Sequence, residues 1–123
     1  MPIKTRRWND GGEDDDGYTV LVCRYRPRGI PRTHETWDAW QPDLGPSKEL
    51  LDAFHGKRGR PIDWPEYERR YLEEMRARPS AQAEIAALRA RLDAGETVTL
   101  LCSTACTDPA RCHRTLLARL LVD

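Results

Sequence analysis

The sequence predicts an α/β fold, a small parallel-type sheet flanked by helices, on three observations. Two short apolar, β-branched runs, YTVLVC at 18–23 and TVTLLC at 97–102, have the composition of strands buried on both faces. A long, helix-patterned stretch separates them, so they can pair only through a crossover and therefore in parallel. The second run leads into Asp108 and Pro109, a helix cap followed by a first helical position, which opens a final helix through Leu121. With 123 residues the chain fills one hydrophobic core and reads as a single domain over 1–123, its first 17 residues expected to be partly mobile.

Taken in order, residues 2–8 alternate loosely between apolar and charged side chains and suit an edge strand or an arm. Residues 9–17, NDGGEDDDG, combine glycine with acids and predict a solvated turn; they lack the spaced carboxylates and closing Glu of a calcium loop. After the strand at 18–23 comes RYRPRG, where Pro27 stiffens the chain and Gly29 permits a turn. Thr33–Trp40 is expected to form one or two helical turns, with Trp37 and Trp40 on one core-facing side. Ser47 caps a short helix through Phe54 with Leu50, Leu51 and Phe54 inward, and His55 closes it as a cap or surface group.

Asp63 and Glu66 match a capping box, and Trp64, Tyr67, Tyr71 and Met75 recur at helical spacing, predicting a helix to about Arg76 with an aromatic core stripe. A further helix follows Pro79 and Ser80, buries Ile85, Leu88 and Leu92, and stops at Gly95.

Twenty basic and twenty acidic residues cancel, so no long-range attraction to nucleic acid or anionic lipid is expected, and the acidic loop at 9–17 weakens a nucleic-acid reading further. No apolar run is long enough to span a membrane, and the start, MPIKTRRWND, does not read as a secretory signal. The expectation is a cytoplasmic protein with its four cysteines reduced and no cofactor. Its oligomeric state is open.

The chemistry gathers where the two strands end. Laid side by side in parallel, they share one carboxyl rim, which brings Arg24, Arg26 and Arg28 toward Cys102, Cys106 and the start of the last helix. Guanidinium groups bind phosphate or carboxylate through paired hydrogen bonds, so the partner expected there is a small anionic molecule. Near arginine and a helix N-terminus a thiolate is favoured, which makes Cys102 a candidate nucleophile. His113 can act as base or acid, and Ser103 or Thr104 can help hold the anion. Cys112 shares a helical face with Leu116 and Leu120, the spacing of a core residue, but stands beside His113 as a second candidate thiol.

A metal site from Cys102, Cys106, Cys112 and His113 is the rival reading. Zinc ligands usually pair two to four residues apart, and adjacent residues on a helix point about 100° apart, so the spacing argues against it. The run also lacks the cysteine, five residues, arginine pattern of a phosphatase loop. A non-catalytic binding module is the remaining alternative.

Several separated stretches carry a resemblance. DGYTVLVCRYRPRGI, LGPSKELLDAFHG and WPEYERRYLEEM resemble the small YeaO-like branch of the bacterial family called domain of unknown function 488 (DUF488), and CTDPARCHRTLLARLL resembles that family's cysteine–histidine–arginine signature. The resemblance implies an α/β fold and carries no established activity. It places the family's recurring positions on Arg24, Pro27, Arg28 and Gly29, on Trp40, Pro46 and Ser47, on His55 and Gly56, and on Cys112, His113 and Arg114, which adds Arg114 to the candidate ligand-binding residues. Cys23, Tyr25 and Arg26 depart from the YeaO-like pattern, which has an acid and a leucine–tryptophan pair there, and Cys106 is peculiar to this chain.

Overall fold

The computed structural model describes residues 3–12, 15–31, 33, 35–57, 59–103 and 108–122. Among these, four strands form one sheet: β1 (Ile3–Arg7), β2 (Tyr18–Leu21), β3 (Ala39–Trp40) and β4 (Val98–Cys102). Their spatial order is β1-β4-β2-β3 and every pairing is parallel. The expected neighbours do lie side by side, with Tyr18 opposite Val98 and Leu21 opposite Leu101. β4 is one of two inner strands and is buried at all five positions, as its largely apolar run requires. No helix among the described residues is long and apolar enough to cross a membrane.

The pleat divides the sheet's side chains between two cores. Val20, Val22, Val98 and Leu100 face one way and share a core with Leu50 of α1 (Lys48–Phe54), Tyr71 of α2 (Trp64–Ala77), Ile85 of α3 (Pro79–Asp93) and Leu117 of α4 (His113–Val122). These four helices thus cover one face. Leu21 and Leu101 pack on the other with Trp37, Trp8 and Ile30, which belong to connecting segments rather than helices.

Caps set the helix starts. The Ser47 hydroxyl accepts from Leu50 N at 3.1 Å, and the Asp63 carboxylate accepts from Glu66 N at 3.1 Å, as the sequence predicts for α1 and α2. Arg78 is extended between α2 and α3 and ends the first as the second begins. Gly95, at φ +88°, follows α3 in the left-handed region where a side chain is disfavoured.

Three sequence expectations give way. Residues 35–40 of Thr33–Trp40 are not helical: Ala39 and Trp40 form the edge strand β3, held because the Asp38 carboxylate accepts from Thr19 N at 2.9 Å and Asp38 N donates to Thr19 O at 2.9 Å. Its tryptophans therefore separate, Trp37 buried at 8% exposure and Trp40 at 38%. The acidic loop is not simply solvated, since Asp16 is buried and pairs with Arg6 at 3.1 Å, while Thr99 Oγ1 donates to the Asp16 carbonyl at 2.7 Å.

The third concerns the last helix. Asp108 caps a 3₁₀ turn over Pro109–Arg111, accepting from Ala110 N at 3.0 Å, and α4 begins only at His113. Between them Cys112 is extended, at φ −132° and ψ 141°.

Candidate functional site

Beyond the last paired residues, β2 and β4 run on to Cys23 and Ser103, and the extended Cys112 brings the start of α4 against both strand ends. The sulfurs of Cys102 and Cys112 lie 3.4 Å apart, and those of Cys23 and Cys102 lie 3.8 Å apart. All three are buried thiols rather than halves of a disulfide. Donor atoms of Cys102, Cys112 and His113 fall within 4.8 Å of one another. The helical 100° separation does not apply, because Cys112 is outside α4; that break is what lets two adjacent side chains converge.

His113 Nε2 stands 2.8 Å from the Val22 carbonyl. A carbonyl only accepts, so Nε2 carries the proton in this contact and the neutral ring has its lone pair on Nδ1. The ring packs against Tyr71, with centroids 5.5 Å apart. Burial, and secondarily the charges of Cys112 and Cys102, push the Tyr71 phenol well above its usual range, so it stays neutral and donates to the Leu44 carbonyl at 2.7 Å.

These thiols and the imidazole line a cavity of about 350 Å³. Leu51 and Phe54 of α1 and Tyr67 of α2 give it an apolar wall, and Arg24 and Arg111 stand on its polar side. Neither of those guanidinium groups has an ion-pair partner among the described residues, in contrast to Arg26. Arg24 is held from below by Gly45: a Cβ there would lie 2.6 Å from Arg24 N. The Gly45 segment is tied in turn to α2, where Arg78 Nη1 donates to the Gly45 carbonyl at 3.1 Å and Ser47 N donates to Glu74 at 2.8 Å.

Of the residues expected at the rim, Arg24, Cys102, Ser103, Cys112 and His113 line this cavity. Arg26 turns away, paired with Glu35 at 3.2 Å and placed 5.6 Å over the Trp37 ring. Arg28 is exposed and does not line it. Arg114 is 4% exposed and also outside the lining; its Nε and Nη1 have no hydrogen-bond partner among the described residues. Thr104 and Cys106 lie outside the described residues. Sequence reasoning passed over Cys23 and Arg111. The parallel register was the available signal for Cys23, since aligning 18 with 98 sets it one position beyond the neighbour of Cys102.

The fold and site define an α/β domain whose thiols and histidine meet at the carboxyl rim of a parallel sheet. The chain belongs to the DUF488 family: the family model described as the active DUF488-N3 subclade matches residues 3–123. It is 40% identical over 75 residues to the Escherichia coli (strain K12) uncharacterized protein YeaO, a match spanning 61% of this chain and 63% of YeaO. Rv3073c of Mycobacterium tuberculosis (strain H37Rv) and Mb3100c of Mycobacterium bovis, both also named uncharacterized, are each 34% identical over 119 residues, 97% of this chain and 92% of theirs. No solved structure matches significantly.

Proposed function

We propose that the protein is a cytoplasmic enzyme acting on a small molecule that carries a phosphate or carboxylate, with Cys102 as nucleophile and His113 as its acid–base partner. The observation that supports this most directly is the convergence of Cys102, Cys112 and His113 in a cavity with two arginines that have no ion-pair partner among the described residues. Arg24 and Arg111 hold the anionic group, with Ser103 as a further hydrogen-bonding group, and Leu51, Phe54 and Tyr67 accept the apolar remainder of the substrate. Cys112 sits just before the positive end of the α4 dipole, which favours negative charge in the same place. Three reduced thiols accord with a reducing compartment.

The test compares iodoacetate with iodoacetamide on the native, reduced chain at neutral pH, each cysteine followed by peptide mass spectrometry. The expected result is that Cys102 reacts several-fold faster with the anionic reagent, and that this preference disappears in Arg24→Ala and Arg111→Ala. Slow labelling of all cysteines with no preference for the anion overturns the reading and leaves a non-catalytic module.

A further inference from the structure

We infer that Cys23, Cys102, Cys112 and His113 form a site for one thiophilic divalent cation of the zinc type, and that its occupancy blocks the thiol chemistry of the pocket. The site stands on its own geometry; only the blocking rests on the nucleophile assigned above.

Zinc–sulfur bonds of about 2.3 Å at tetrahedral angles set two ligand sulfurs about 3.8 Å apart. The two measured separations that share Cys102 are 3.8 Å and 3.4 Å; Cys102, Cys112 and His113 already hold their donor atoms within 4.8 Å of one another, and Cys23, which touches that group through Cys102, must turn toward the other two to complete the set. The donor set is right in kind as well. Thiols and imidazole are soft or borderline ligands that select zinc over magnesium or calcium, and three sulfurs with one nitrogen make a common four-coordinate set. The orientation of His113 suits coordination. Its Nε2–H faces the Val22 carbonyl, the outer-shell contact that typically fixes a metal-bound histidine, and its lone pair is on Nδ1.

On binding, the thiols release their protons to solvent, and three thiolates with a dipositive ion leave a net negative centre. Once the sulfur of Cys102 donates its electron pair to the ion, it cannot attack a substrate, so the loaded state is the inactive one.

The full reduced chain is titrated with cadmium alone, and the ultraviolet thiolate-to-cadmium charge-transfer band is followed. Saturation at one ion per chain is expected. In Cys23→Ser and in Cys112→Ser the band falls by about a third, in step with one thiolate of three. Zinc added before iodoacetate should also protect Cys102 from labelling. Thermal melts run alongside show which variants fold, and His113→Gln, which keeps all three thiols, is expected to weaken cadmium binding without lowering the saturated band. An absent band, or one unchanged in both cysteine variants, overturns the site; labelling that persists under saturating zinc overturns the blocking. If cadmium saturates at one equivalent while the metal-free chain labels slowly and without preference, the metal site stands and the nucleophile reading falls.

Discussion

The sulfurs of Cys102 and Cys112 stand 3.4 Å apart across ten residues of chain. β4 delivers the first, and the extended residue ahead of α4 returns the second to the same point. A disulfide needs about 2.05 Å between sulfurs and a Cβ separation near 4 Å, within reach of a rotamer adjustment. Mild oxidation of the metal-free chain with diamide is expected to give one intramolecular cross-link, Cys102 to Cys112. Peptide mapping without reduction checks it, and a dominant Cys102–Cys23 or intermolecular product counts against the arrangement.

Much of this was legible in the sequence, and for identifiable reasons. β2 and β4 are short β-branched and apolar runs, broken only by Thr19 and Thr99, and their parallel adjacency followed from the helical stretch between them. α2 was marked by Asp63, Glu66 and the stripe Trp64, Tyr67, Tyr71 and Met75 at helical spacing, all local signals. What escaped was non-local. Ala39 and Trp40 form a strand only because Asp38 meets Thr19 nineteen residues away, and nothing in THETWDAW announces that partner. At the site, Pro109 pointed correctly to a helical start, but the chain takes a single 3₁₀ turn and re-extends at Cys112 before α4. That one-residue break decides whether Cys112 and His113 diverge or converge, and helical periodicity has no means of showing it.

The support beneath Arg24 gives a second expectation. Gly45 lies so close that an added Cβ would sit 2.6 Å from Arg24 N and 3.1 Å from Cys23 C, both backbone atoms that cannot swing aside. Gly45→Ala should therefore destabilise the fold by about 1–3 kcal/mol, the range of overpacking substitutions. The displaced turn carries Arg24 and Cys23 with it, so the iodoacetate preference should also fall. Chemical denaturation and the labelling ratio measure the two effects; a fully stable variant with unchanged preference removes the support role.

Tyr71 supplies a pH-dependent expectation. Its phenol is fully buried and held well above the ordinary range, first by burial and then by the nearby thiols. In the unfolded chain the phenol ionises near pH 10, and in the folded chain only at higher pH. A raised folded value means the stabilisation is complete below about pH 10 and is lost as pH rises beyond it, by up to about 1.4 kcal/mol per pH unit. Tyr71→Phe removes that loss. It also removes the bond to the Leu44 carbonyl, costing about 1 kcal/mol at neutral pH. The variant should be the less stable protein at pH 7, and the gap should close or reverse near pH 11 in parallel denaturation curves.

The three arginines of RYRPRG look equivalent in sequence, yet the fold gives each a different surrounding. Arg24 faces the cavity without an ion-pair partner among the described residues. Arg26 is committed to structure: it bonds Glu35 at 3.2 Å, lies over Trp37, and so closes the side of the sheet that no helix covers among the described residues. Arg28 is exposed. Truncating each to Ala should therefore separate three outcomes. Arg24→Ala should abolish the preference for iodoacetate with little change in stability. Arg26→Ala should lose about 1 kcal/mol, the scale of a cation–π contact joined to a partly buried ion pair, and keep the preference. Arg28→Ala should change neither. Labelling ratios and denaturation midpoints on the three variants test this together, and a loss of preference in Arg28→Ala with none in Arg24→Ala would place the anion outside the cavity, on the exposed turn.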